Sequence, residues 1–222
     1  MAEQFARFFD LSEVWALLIP LYILQWKKKQ PVFMKPVIFY LWSALLINFL
    51  ADSIAEYNRV SPGYRFSNTP LYNLHSVLRF TCFTWFFYLL QLGVNKTLQI
   101  LLLVLYLAYV AYQFIFAQKF FDLTSISGNL MAVESFMLLV SCLLYYFHQL
   151  AHPVNVGGHT KDFWVVTGLS IYVVANFFVF LFYKPMLTTN LNLALKMWNV
   201  HNLAFILLCI FISKAFYATA RS

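Results

Sequence analysis

Charge is scarce in this sequence. Asp, Glu, Lys and Arg make up 10% of its 222 residues, where a soluble domain of that length carries about 25%. A chain so poor in charge cannot cover a water-facing surface of its own size, which excludes an ordinary soluble domain. Cysteine is scarce too. Cys82, Cys142 and Cys209 sit singly inside apolar runs, with no CxxC and no paired spacing, which leaves them as packing residues and excludes a disulfide framework or a thiolate metal site. No serine-nucleophile motif, phosphate-cradling loop or dinucleotide fingerprint is present. The net charge of +7 is no nucleic-acid signal, because the run Lys27-Lys28-Lys29 has no interleaved aromatics and fits no nucleic-acid motif. A cleavable leader is not expected, since acids and bases mix at the N-terminus and the basic cluster follows the first apolar run.

What is present is apolar. Hydrophobic residues make up 62% of the chain and aromatics 20%, gathered into long runs. Seven segments can be drawn, each near the ~20 residues that span a hydrocarbon core: 8–26, 37–57, 71–92, 98–117, 127–147, 163–183 and 191–213. Backbone groups in lipid must be bonded internally, so these spans are expected to be helices. Pro20 predicts a kink in the first, and Tyr183-Lys184-Pro185 predicts the end of the sixth. Pro62-Gly63, the turn 93–97 and an inner loop over 148–162 with Pro153 and Gly157-Gly158 separate the others. The fourth segment has no charge and reads as a lipid-facing or linking helix.

Orientation follows from Lys and Arg in the loops. Lys27, Lys28, Lys29, Lys35, Lys96, Lys161, Lys214 and Arg221 fall on one side, and Arg7, Arg59, Arg65, Lys119 and Lys184 on the other; Arg79 and Lys196 lie within helices. The richer side is expected to be cytoplasmic, which places the N-terminus outside and the C-terminus inside. Asn95-Lys96-Thr97 is a formal glycosylation sequon, but it falls on that inner side.

The chain also lies over itself in one recurring register. Phe39 to Asp52 matches Phe163 to Asn176 at an offset of 124, Asn73 and His75 match Asn199 and His201 at 126, and Glu13 matches Glu134 at 121. The expected fold class is all-α: a polytopic integral membrane protein of seven transmembrane helices, with parallel three-helix repeats (helices 1–3 and 5–7) joined by helix 4. Residues 1–222 form a single membrane domain, with a first triplet over 5–93, a linker over 98–118 and a second triplet over 124–216.

This plan resembles the SWEET and PQ-loop carriers. Those use an Asn on helices three and seven to hold substrate, so the resemblance implies that role for Asn73 and Asn199. The chain departs from the pattern in having no Pro-Gln motif. The run Asp162-Phe163-Trp164-Val165-Val166-Thr167-Gly168, with Tyr172 and Asn176, is similar to small seven-helix proteins of Bacteroidetes-type bacteria, a family without an established activity. That resemblance implies a bacterial inner membrane.

Polar residues inside apolar helices are costly and mark sites. Glu13, Asp52, Asn73, His75, Arg79, Glu134, Asn176, Lys196, Asn199 and His201 all fall in the outer half or near mid-membrane and form the expected ligand-binding set. Asp52 or Glu56 is the expected partner of Arg79. Asn73 and His75 are two apart, about 200° around a helix, and so are Asn199 and His201. Either the Asn pair or the His pair faces the cavity, and the other packs between helices. His75, His201, Glu13 and Glu134 form a mixed imidazole and carboxylate set that a zinc or iron ion would suit, though all come from different helices and no HxxxH or HExxH motif accompanies them. His148 and His152, with His159 nearby, fall at the inner loop. Retinal is not expected, because Lys196, the one lysine that a Schiff base in helix seven could use, sits near the outer end.

The leading functional expectation is binding of a small polar solute in an outward-facing intramembrane cavity, with transport. The alternatives are a seven-helix sensor or receptor that needs a separate signalling partner, and a metal-dependent membrane enzyme. The expected partners are the bilayer, the small polar ligand, and a membrane partner protein or a second copy of the chain.

Overall fold

The computed structural model describes residues 9, 11–61, 66–90, 96–117, 128–151 and 160–218. Among these, seven α-helices occur and no strand: α1 (Ser12–Trp26), α2 (Lys35–Val60), α3 (Thr69–Leu89), α4 (Lys96–Tyr112), α5 (Gly128–Ala151), α6 (Lys161–Thr189) and α7 (Leu191–Tyr217). Pro62-Gly63, Gly93, Pro153, Gly157-Gly158, His152 and His159 lie outside the described residues, as does the sequon's Asn95.

Local chemistry explains the ends. Pro36 and Pro70 occupy the first turn of α2 and α3, where a missing N–H costs nothing and the fixed φ favours the helix. A short 3-10 turn, Val32–Met34, leads into α2. The last turn of α4 widens into a π-helix over Gln113–Ala117.

Two expected boundaries are corrected. The inner loop is shorter than 148–162, because α5 runs to Ala151 and carries His148 in its last turn, and α6 begins at Lys161. Nor does Tyr183-Lys184-Pro185 end the sixth helix, which continues through Pro185 to Thr189. A proline removes one backbone donor and displaces one carbonyl. Here the Thr188 and Thr189 hydroxyls both donate to the Pro185 carbonyl, at 2.8 and 2.9 Å, and stitch the final turn. A single residue, Asn190, then reverses the chain, and its side-chain oxygen accepts from the Leu193 N–H at 3.1 Å to cap α7.

The helices pack in chain order around a ring. α1 packs on α2, α2 on α3, α3 on α5, α5 on α6, α6 on α7, and α7 closes back on α1; α4 lies against α3 and α5. The closest approach is α6 to α7. At Gly168 an added Cβ would stand 2.5 Å from the Phe211 Cβ, so only glycine lets the backbones meet there. The core is aromatic: Tyr40, Phe80, Phe83, Phe86, Tyr106, Tyr145, Tyr172 and Phe205 are all essentially inaccessible.

The outside is apolar as well. On α4, Ile100, Leu101, Val104, Leu105 and Leu107 are exposed, a surface that water does not favour and lipid does. Among the described residues five helices are long and apolar enough to cross a membrane, including the 3-10 turn with α2 and the widened end with α4. The other two are α1, described over 15 residues, and α3, which carries Asn73, His75 and Arg79. The chain is an all-helical integral membrane protein.

Candidate functional site

Ser76 and Arg79 are three residues apart on α3 and so share a face. That face meets Glu134 of α5. The Arg79 guanidinium grips the carboxylate with two parallel bonds, Nε to Oε1 at 2.5 Å and Nη2 to Oε2 at 2.8 Å. Its Nη1 donates to the Tyr172 hydroxyl of α6 at 2.5 Å, and the guanidinium carbon stands 5.0 Å from the centre of the Tyr172 ring. The Ser76 hydroxyl donates to Glu134 Oε2 at 2.5 Å and lies 3.0 Å from the Tyr106 hydroxyl of α4. One buried ion pair thus ties four helices together. Glu134 is fully buried and Arg79 nearly so, and the bidentate geometry is what lets two charges remain so far from water.

A second network joins α1, α2, α6 and α7. His201 Nε2 lies 2.9 Å from Glu13 Oε1, and its Nδ1 lies 2.6 Å from Asn176 Oδ1. Asn48 of α2 donates from Nδ2 to the Glu13 backbone carbonyl at 3.0 Å. The His201 ring is walled by Trp198, Phe180 and Tyr172, with centroids 5.1, 5.2 and 5.9 Å away. Both ring nitrogens therefore face oxygen atoms. With Asn176 Oδ1 as acceptor, Nδ1 carries a hydrogen.

Between these networks lie two rings. His75 of α3 stacks on Tyr40 of α2, with centroids 5.7 Å apart and planes at 20°. Both rings are buried, and Tyr40 also packs on Phe83 of α3 with centroids 5.1 Å apart. Among the described residues Tyr40 Oη and His75 Nε2 are buried without a hydrogen-bond partner, and so is Asn73 Oδ1. Just beyond, Tyr72 meets Trp198 edge-on at 6.0 Å, and Tyr183 packs on Trp198 at 5.5 Å.

Six of the ten residues singled out in the sequence enter these networks or the ring pair: Glu13, His75, Arg79, Glu134, Asn176 and His201. Asn73 is buried on α3. Three do not join. Asn199 and Lys196 lie on the exposed face of α7, so the Asn73–Asn199 pair does not line the interior together. Of the two expected pairs it is His75 and His201 that are both buried. Asp52 is half-buried and lines a groove of about 570 Å3 between α1 and α2 with Leu11, Trp15, Phe49 and Glu56. The expected pairing of Asp52 or Glu56 with Arg79 is corrected, since Glu56 binds Arg59 at the surface and Arg79 binds Glu134. The cause is the length of α2: Asp52 is twelve residues from Tyr40, about 18 Å along the helix, well beyond the level of Arg79.

The metal set is corrected too. Glu13 is engaged with His201 and Glu134 with Arg79, and no group of three or more His, Cys, Asp or Glu that could hold a metal ion occurs among the described residues. The sequence did not single out Ser76, Tyr106, Tyr172 or Tyr40 as site groups. The i, i+3 spacing of Ser76 and Arg79 was a signal for the first; the tyrosines are indistinguishable from lipid-facing aromatics without the fold. No protein-family model, curated protein or solved structure matches the chain.

Proposed function

We propose that the chain spans a bacterial inner membrane seven times, with its N-terminus outside and its C-terminus in the cytoplasm, and binds a small polar solute at the centre of the bundle for passage across it. α1 and α3 count as spans in this reading. Lys27, Lys28, Lys29 and Lys161 line a cleft at one end, beside the C-terminal turn of α7, which supports that end as the cytoplasmic one.

Two parallel three-helix units joined by α4 account for the packing. Exchanging α1, α2, α3 for α5, α6, α7 maps every neighbour pair of the ring onto another neighbour pair: α1–α2 onto α5–α6, α2–α3 onto α6–α7, and α3–α5 onto α7–α1. Equivalent acids behave alike, since Glu134 of α5 bonds to α3 and Glu13 of α1 bonds to α7. Tyr72 and Trp198, equivalent at the offset of 126, touch each other, as residues beside a two-fold axis would.

The observation that carries the solute reading is the stacked ring pair whose polar atoms, Tyr40 Oη and His75 Nε2, are buried without a partner among the described residues; Asn73 Oδ1, on another face of α3, is buried and unpartnered there as well. Burying such a group unpaired costs several kcal/mol in lipid, so hydrogen-bonding groups of a solute are the natural partners. The charges nearby are already matched, Arg79 by Glu134 and Glu13 by His201, so the solute is an uncharged polyhydroxyl or amide compound. In this reading any coupling of transport to protons falls to the acid–imidazole contact of Glu13 and His201.

The test is a thermal-shift panel on purified protein with monosaccharides, polyols, amides and zwitterionic amino acids, followed by flux of the stabilising compound into proteoliposomes. One uncharged class should stabilise the protein and fail to stabilise the His75→Ala/Asn73→Ala variant. Stabilisation without flux would favour the sensor reading. No stabilisation by any class, or equal stabilisation of the variant, would end the solute reading.

A further inference from the structure

We propose that the cleft between the Lys27–Lys29 run and the start of α6 is a binding site for a phosphate group, held there as the headgroup of an anionic phospholipid. The cleft has a volume of about 640 Å3, and Lys27, Lys28, Lys29 and Lys161 all line it, with Gln30 and Tyr217. It is built, not merely charged. Gln30 Nε2 donates to the Lys27 carbonyl at 2.7 Å and to the Phe216 carbonyl at 3.4 Å, pinning the basic run to the end of α7. Lys161 is buried, and its Nζ donates to the Ala215 and Phe216 carbonyls at 3.1 and 2.9 Å. An ammonium has three donors, so a third remains for an anion. The Lys27 ammonium stands 5.2 Å from the centre of the Tyr217 ring.

This arrangement holds like charges together. Lys27 and Lys161 are close enough for their charges to repel, and an anion between them removes that repulsion. The cleft's chemistry is matched by a phosphate, a compact anion with several acceptor oxygens that lysines bind as point charges. Its place at the end of the membrane helices matches a headgroup. Trp26 and Tyr217 flank it, both exposed, as aromatics are at the interface. Nearby, Lys214 lies over the Trp164 ring at 3.6 Å, a further cation at that level. Basic residues beside membrane spans attract anionic lipid in this way.

The experiment titrates the full-length protein in neutral detergent with three probes: short-chain phosphatidylglycerol, short-chain phosphatidylcholine and inorganic phosphate, reading the thermal midpoint and bound stoichiometry. Phosphatidylglycerol should bind saturably and raise the midpoint, and phosphatidylcholine should not. Inorganic phosphate competing with phosphatidylglycerol would show that the phosphate is what is recognised; inorganic phosphate binding while phosphatidylglycerol does not would give the site to a soluble anion and overturn the lipid assignment. Lys28→Gln and Lys29→Gln change exposed side chains and leave the fold alone. Each should weaken phosphatidylglycerol binding about fivefold, and Lys161→Gln should weaken it further. Equal response to the two lipids, or unchanged affinity in Lys28→Gln/Lys29→Gln, would overturn the proposal.

Discussion

At the scale of residues, the buried charges divide into groups that hold the fold and groups that await a partner. Arg79 and Glu134 belong to the first. Replacing Glu134 with Gln strands a buried guanidinium, and losses of about 3–5 kcal/mol are typical for breaking such a pair. Removing both charges, as Arg79→Met/Glu134→Leu, should cost less than the sum of the single changes. Reversible unfolding of the four proteins in mixed micelles measures this, and simple additivity would show that the pair is not coupled. The two histidines should differ in the opposite sense. His201→Phe leaves Glu13 and Asn176 short of their shared partner and should destabilise by about 1–3 kcal/mol. His75→Phe keeps the ring stack on Tyr40 and gives up Nε2, which has no partner among the described residues, so stability should change by less than about 1 kcal/mol while solute binding is lost. The sequence marked both histidines and both acids. It did not show which of the marked residues pair with which, because pairing depends on how deep each helix sits relative to the next, and that offset is absent from a periodicity.

At the scale of elements, the helices were legible and their ends were not. Apolar runs located all seven, since lipid admits few alternatives to a helix. Pro185 misled because a proline near the end of a helix loses only one bond, and the turn after it is held by the Thr188 and Thr189 hydroxyls on the Pro185 carbonyl. The exposure of Asn199 was equally hidden: α7 turns Ala194, His201 and Phe205 inward, and that rotation follows from contact with α1 and α6, not from the residue types of α7 alone. Contact between α6 and α7 depends on Gly168. Gly168→Ala should lower stability by about 1–3 kcal/mol, and Gly168→Leu should prevent the close approach altogether. Chemical unfolding of Gly168→Ala checks the first figure, and an unchanged midpoint would mean that the two helices part there without penalty.

At the scale of the whole molecule, the described helices pack in a ring, and the proposal reads that ring as two equivalent halves. The orientation of that ring is open to a direct check. The native cysteines are all buried, so single cysteines can be introduced at exposed positions on a quiet background. Lys28→Cys should react with an impermeant maleimide only after cells are opened, and Thr188→Cys in intact cells; the reverse pattern would turn the protein over. The recurring register in the sequence is what suggests the two halves. What it could not convey is that the two Asn-x-His stretches meet through Tyr72 and Trp198 and not through their asparagines. The central claim is that His75, Tyr40 and Asn73 hold hydrogen-bonding groups from outside the protein. An experimental structure in a lipid nanodisc with the stabilising compound present tests it most directly. The account predicts density for that compound within hydrogen-bond distance of His75 Nε2 and the Tyr40 hydroxyl; finding those atoms bonded instead to other side chains, with the compound elsewhere, would contradict it.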